Sequence, residues 1–154
     1  MAGLPILALT LAAAQAPAAP AFTLRIPSED VPSASMSVVA APRVVLTVQC
    51  NADSGVGLVS VAFPREMGDG MAFPVSYSFD GGAERNGQWM GLSILAMMPR
   101  RTPEFAAFFR ALRGSRSFRI SAPVRGGDRQ EVVFSYTDPD PMLEELDRHC
   151  GLSP

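Results

Sequence analysis

FPVSYSFDG, residues 73–81, decides the fold, because large apolar side chains occupy every second position along most of it. A period of two places the large side chains on one face of a β-strand and the small ones on the other. The Asp80-Gly81 pair at its end tolerates the positive φ of a tight turn. The stretch therefore predicts a half-buried strand that ends in a turn.

Segments on both sides of this strand show related β-type patterns, rich in β-branched and aromatic side chains. These segments are residues 43–50, 58–63, 88–98, 118–122 and 132–136. The first of them places Cys50 inward at the end of its strand, and residues 88–98 are expected to pair with the strand at 73–79. The predicted inward side chains are Val44, Leu46, Val48, Val59, Val61, Phe63, Val75, Tyr77, Phe79, Ile120, Val132 and Phe134.

Two further segments show the 3.6-residue period of an amphipathic helix. The first begins at Pro103 and ends at Gly114, and the second begins with Asp140 and ends at Gly151. Cys150 lies on the buried side of the second helix, in its last turn. The sequence predicts a mainly β (α+β) domain, a single antiparallel sheet or β-sandwich of about six strands with two short helices.

The N-terminus has the character of an export signal. Residues 4–14 form an uncharged apolar run, followed by small residues that offer cleavage after Ala14, Ala16 or Ala21. The run is shorter than the roughly 20 apolar residues that span a bilayer, so no transmembrane segment is expected in the mature chain. We assign residues 1–21 to a signal peptide and expect a periplasmic or secreted protein.

Residues 22–42 are rich in proline, serine and alanine. Such a composition is typical of a linker, and it predicts a loosely held leader ahead of the folded domain. The β-rich domain is expected to cover residues 43–152. The chain has 154 residues, of which 47% are hydrophobic and 18% charged, as expected for one globular domain.

The chain contains two cysteines, Cys50 and Cys150. In an oxidising compartment they are expected to form a disulfide that ties the C-terminal helix to the first core strand. A structural zinc site is the competing interpretation, but two cysteines and the single His149 provide too few soft ligands. We expect no metal and no cofactor.

No catalytic constellation stands out, so the sequence predicts a protein that is not an enzyme, with no catalytic residues. His149 is the only histidine, and no Gly-x-Ser-x-Gly motif accompanies it. The acidic side chains near the C-terminus are those of a solvated helix face. A hydrolase remains an alternative.

Charge is distributed unevenly along the chain. The net charge is -2, and no basic-aromatic stacking pattern is present, so a nucleic-acid partner is not expected. Residues 100–129 nevertheless contain eight arginines and only two acids, whereas six acids follow residue 130. This asymmetry predicts either a surface for an anionic envelope component or two segments that neutralise each other. The candidate surface residues are Arg100, Arg101, Arg110, Arg113, Arg116 and Arg119.

The order of the motifs resembles a known family. Leu46-x-Val48-x-Cys50 opens the domain, the strand ending in Phe79 is followed by Trp89 and a phenylalanine-rich helix, and Cys150-Gly151 closes the chain. Over residues 43–152 this order resembles the VasI-like, type VI secretion-associated periplasmic proteins and, more loosely, the invasion-associated locus B proteins. The resemblance implies an exported protein of β-rich fold without catalytic residues, associated with a secretion system. With the export signal, the disulfide and the lack of a catalytic site, it leads us to expect a non-enzymatic periplasmic accessory or interaction protein whose partner is another envelope protein.

Overall fold

The computed structural model describes residues 18–28 and 30–152, which form one antiparallel sheet and two helices. The order of the nine strands in the sheet is β1-β2-β3-β4-β7-β6-β5-β8-β9. The strands are β1 Thr23–Arg25, β2 Ser33–Ala41, β3 Val44–Asn51, β4 Gly57–Ala62, β5 Gly70–Phe79, β6 Arg85–Leu92, β7 Leu95–Pro99, β8 Ser117–Pro123 and β9 Arg129–Ser135. The helices are α1 Pro103–Leu112 and α2 Asp140–Cys150.

The sheet is strongly curved. Strands β2 and β9 are separated by six intervening strands, yet their Cα atoms approach within 8 Å of each other. In a flat sheet the same strands would lie roughly 34 Å apart. The concave face carries the core. Every inward residue predicted from the sequence is buried there, except Phe79, which is partly buried against the same cluster.

The prediction of a loosely held leader over residues 22–42 does not agree with the structure. Strands β1 and β2 lie in this segment, and β2 pairs with β3 along its whole length. Ala34, Met36 and Val38 alternate with serines and are fully buried. The alternation is present in the sequence over residues 33–38, but the high proline, serine and alanine content of the surrounding segment indicated a linker instead. Most of the predicted signal peptide, residues 1–17, lies outside the described residues.

The prediction of about six strands is also wrong. Besides β1 and β2, the apolar segment at residues 88–98 forms two strands, β6 and β7, joined by a tight turn. Ser93 adopts a φ of 54° in this turn, and its N–H donates to Oδ1 of Asp69 at 2.9 Å. No glycine or proline marks the turn, which is why the sequence pattern does not reveal it.

The two helices form where the sequence predicts them. Helix α1 links β7 to β8 and buries Phe108 against the aromatic rings of Tyr77 and Phe118, with centroids 5.7 and 5.3 Å away. Helix α2 packs against β2 and β3 and ends at Gly151, whose φ of 52° is left-handed. Among the residues that the structure describes, no helix is long and apolar enough to span a membrane.

The predicted disulfide between Cys50 and Cys150 is present, with the Cα atoms 6.1 Å apart. Both cysteines are buried, at the end of β3 and in the last turn of α2. The bond joins two points separated by 100 residues of chain, so it fastens the terminal helix to β3 in the N-terminal half.

Candidate functional site

The Arg100 side chain is bound to backbone carbonyl groups of the protein itself. Its guanidinium donates hydrogen bonds to the carbonyl oxygens of Gly55 at 2.9 Å and Cys150 at 3.2 Å, and also to that of Gly151. The last carbonyl groups of a helix lack partners within the helix and carry its partial negative charge. Arg100 therefore caps α2 and ties it to the β3–β4 turn. Because both terminal nitrogens of its guanidinium already donate to these carbonyl groups, Arg100 is poorly available to bind another molecule.

Three more of the predicted surface arginines face carboxylates. Arg113 lies 3.7 Å from Asp147, Arg116 lies 3.4 Å from Asp138, and Arg119 lies 3.7 Å from Glu131. All three acids belong to the acidic C-terminal part of the chain. The structure thus brings the two oppositely charged segments together instead of gathering the arginines into one patch. Arg101 and Arg110 are exposed and form no ion pair with any residue in the described ranges.

The convex side of the sheet, which faces away from the helices, contains a large area without charge. We call it the uncharged face, and it covers the outward side chains of β2, β3, β4, β7 and β6. They are Ser33, Ser35, Ser37, Val39, Val45, Thr47, Gln49, Asn51, Leu58, Ser60, Ala62, Leu95, Met97, Pro99, Gln88, Met90 and Leu92. None of these residues is buried.

An aliphatic row crosses the uncharged face from edge to edge. The strand registers place Val39 opposite Val45, Val45 opposite Ala62, Ala62 opposite Leu95, and Leu95 opposite Leu92. Val39 is 54% exposed and Leu92 is 52% exposed. Five neighbouring strands thus present apolar groups to solvent in a line, although the fold does not require apolar residues on that side.

The part of the convex side that β8 and β9 form is charged. On β8 and β9 the outward residues include Arg119, Glu131 and Arg129, and the Arg129 guanidinium donates to the Ser121 carbonyl oxygen at 2.8 Å. Val133 is an exception, an apolar residue 50% exposed among these charges. We call this part of the convex surface, on β8 and β9, the charged half; Pro74 and Ser76 of β5 separate it from the uncharged face.

Two neighbouring depressions lie at one end of the uncharged face. The larger, of about 390 Å³, is lined by Val56, Leu58, Met90, Met97 and Pro99, with Ser33, Gln49, Cys50, Asn51 and Gly57 completing its wall. The smaller, of about 210 Å³, shares Val56, Gly57 and Pro99 with it and is also lined by Ser54, Gly55, Arg100 and Arg101. Among the described residues, no Asp or Glu lines either depression. The larger one provides apolar contact area and no acid–base group.

A polar cluster fastens the start of α1 to the concave face. The indole N–H of Trp89 donates to Oε1 of Glu104 at 3.3 Å. Burial raises the pKa of the nearby Tyr77 phenol well above its ordinary value, and the Glu104 carboxylate beside it raises it further. A Cβ at Gly87 would overlap that carboxylate. Glu104 is the acidic residue in the first turn of α1, and nothing in the sequence pattern singles out Gly87.

We expect Gly87→Ala to destabilise the protein by about 1–3 kcal/mol, because the new methyl group displaces the Glu104 carboxylate from Trp89. In a Glu104→Ala background the same substitution should cost roughly 0.5 kcal/mol or less, since the carboxylate it collides with is gone. Urea unfolding of the four proteins measures this coupling. Equal costs of Gly87→Ala in both backgrounds would show that Glu104 does not determine the need for glycine.

Asp80 closes the turn after β5 with a φ of 48°. Its Oδ1 accepts hydrogen bonds from the N–H groups of Arg116 and Ser117, each at 2.8 Å. The Arg116 N–H bond is the main cause that lowers the pKa of this carboxyl. The ionised carboxylate thus links the β5–β6 turn to the start of β8.

This lowered pKa sets the direction of a pH dependence. The stabilisation from Asp80 is complete above the ordinary carboxyl pKa of about 3.9 and is lost as the pH falls through the lower pKa of the folded state. We expect Asp80→Asn to lower the melting temperature at neutral pH and to make the decline in acid shallower. Melting curves across the acidic range test this, and an unchanged decline would refute it.

His149 contacts one carboxylate. The Nε2 atom of His149 lies 3.1 Å from Oε1 of Glu145, one turn earlier on the same helix, and the His149 side chain is partly exposed. Within the described residues, no group of three or more His, Cys, Asp and Glu side chains is placed to hold a metal ion.

Comparison with known proteins gave no match: no protein-family model, no curated protein and no solved structure matches this chain.

Proposed function

We propose that this protein is an exported, non-enzymatic accessory protein that binds another envelope protein through the uncharged face. The single observation that carries the proposal is the aliphatic row exposed across five strands. With strands about 4.8 Å apart and residues about 3.4 Å apart, the face covers roughly 400 Å². Polar side chains make up much of this area, and the exposed aliphatic row that crosses it is the feature that indicates an interaction site.

The size and composition of the face favour a protein partner. The uncharged face combines aliphatic, methionine and hydroxyl side chains, and depletion of charge is typical of the centre of a protein interface. Its area is about half of what each partner contributes to a standard complex. We therefore expect a reversible contact, to which a rim of neighbouring residues contributes.

Export to an oxidising compartment is part of the same proposal. The buried disulfide supports it, because such bonds persist mainly outside the cytosol, and so does the apolar run at residues 4–14. The carbonyl oxygen of Pro20 accepts a hydrogen bond from Thr137, so we expect cleavage after Ala14 or Ala16. The intact mass of the protein from a periplasmic fraction tests both points, and an unprocessed, reduced chain would contradict them.

The VasI-like resemblance is consistent with this proposal. It also suggests a narrower version, in which the protein assists a secretion system and its partner is a component of the secretion apparatus in the envelope. Neighbouring genes that encode such an apparatus would support the specific role.

Two matched substitutions test the binding proposal. Leu92→Glu places a charge in the aliphatic row, and Val133→Glu places one at an equally exposed position in the charged half. We expect Leu92→Glu to lose the partner recovered by affinity purification from envelope extract, while Val133→Glu keeps it. Equal recovery with both variants would contradict a role for the uncharged face. Melting curves of both variants control for folding.

A further inference from the structure

The two depressions at the end of the uncharged face together have an amphipathic character. The larger is walled by Val56, Leu58, Met90 and Met97, and Val56 itself is 58% exposed. The smaller opens beside it and is lined by Arg100 and Arg101. An apolar site therefore lies directly next to a cationic one.

Only one of the two arginines is available for a partner. The Arg100 guanidinium is occupied by carbonyl groups of the β3–β4 turn and of the end of α2. Arg101 is exposed and has no ion-pair partner within residues 18–28 and 30–152, and no acidic side chain of those ranges lines the depression. An anion beside Arg101 would thus meet one uncompensated charge.

We propose, building on the proposed function, that these depressions bind a segment of the partner protein in which an apolar side chain stands next to a carboxylate. The apolar side chain enters the larger depression between Val56 and Met97. The carboxylate, from an acidic side chain or a chain terminus, lies beside Arg101. This assigns the anionic partner to one arginine instead of the wider arginine-rich segment.

The openness of the site favours a protein segment over a small molecule. Pockets for small ligands bury most of the ligand surface. Here the wall residues Val56 and Gln49 are themselves exposed, so a free amphipathic anion would stay half in water. A protein segment that continues over the uncharged face covers the open side, and its apolar side chain anchors the segment at that end of the contact.

Selection of displayed random peptides on the oxidised full chain tests the inference. We expect enrichment of peptides with a large apolar residue within two positions of Asp, Glu or the C-terminus. A synthetic peptide of the consensus sequence should bind roughly tenfold or more weakly to Met97→Glu, because an anion then lines the apolar depression. Arg101→Ala should weaken binding about 2- to 5-fold, less at high salt.

Arg110→Ala is the matched control, since Arg110 is also exposed and unpaired within the described ranges, and it should leave the affinity unchanged. Peptides that depend on Leu92 but not on Met97 or Arg101 would overturn this inference and leave the proposed function standing. Absence of any enriched peptide would count against both. Arg101-dependent binding of decanoate without peptide enrichment would overturn it in favour of a small ligand.

Discussion

A chain that starts at residue 43 is expected not to fold. It lacks Phe22, Met36 and Val38, which are almost completely buried, and burial of each contributes about 1.5–3 kcal/mol. Together this loss approaches the whole stability of an ordinary domain, about 5–15 kcal/mol. Removal of β2 also exposes the edge of β3, which promotes aggregation. Circular dichroism and urea unfolding should show no cooperative transition.

Point substitutions in the full chain give a graded version of this test. Met36→Ala should lower the free energy of unfolding by about 2–5 kcal/mol, because Met36 is completely buried. Ser35→Ala, one residue away on the convex side, should change it by about 0.5 kcal/mol or less.

For the truncation itself, an unfolding midpoint as high in the chain that starts at residue 43 as in the full chain would show that residues 22–42 are a leader after all.

Replacement of both cysteines by alanine is expected to lower the free energy of unfolding by roughly 4–5 kcal/mol. The disulfide closes a loop of 100 residues, and opening it restores the conformational entropy that this crosslink removes from the unfolded chain. Urea unfolding of the oxidised protein and of the double alanine variant measures the difference. The reduced wild-type protein should match the variant.

The ends of the disulfide are also held by other contacts, so the folded state should survive its removal under mild conditions. Arg100 remains bound to the carbonyl groups of Cys150 and Gly151. We expect Arg100→Ala to cost more in the alanine variant than in the oxidised protein, because both restrain the end of α2. A decrease of less than about 1 kcal/mol on loss of the disulfide would contradict its role as a clamp.

The strong sequence patterns predicted their elements well. Residues 73–79 carry large side chains in strict alternation, residues 43–50 are rich in β-branched side chains, and proline near each helix start and glycine after each helix end are explicit signals. These patterns also predicted the disulfide, because they placed both cysteines on the inward faces of a strand and a helix.

The elements that the sequence did not predict lack such signals for physical reasons. In β2 the alternation between serine and apolar residues is short and lies in a proline-rich segment, and its inward side chains become buried through pairing with β3. The turn at Ser93 uses a residue that is not specific for positive φ. The uncharged face arises only when five strands, brought together in an order different from that of the chain, align their outward residues. No local pattern encodes that alignment.

Site-specific photocrosslinking in the cell tests the central claim most directly. A photoreactive amino acid replaces Leu92 in the aliphatic row or, in a parallel strain, Val133 in the charged half, positions that are equally exposed. We predict that the probe at position 92 captures one discrete envelope protein and that the probe at position 133 does not. Capture of the same protein from both positions, or from position 133 alone, would contradict the claim that the uncharged face is the binding surface.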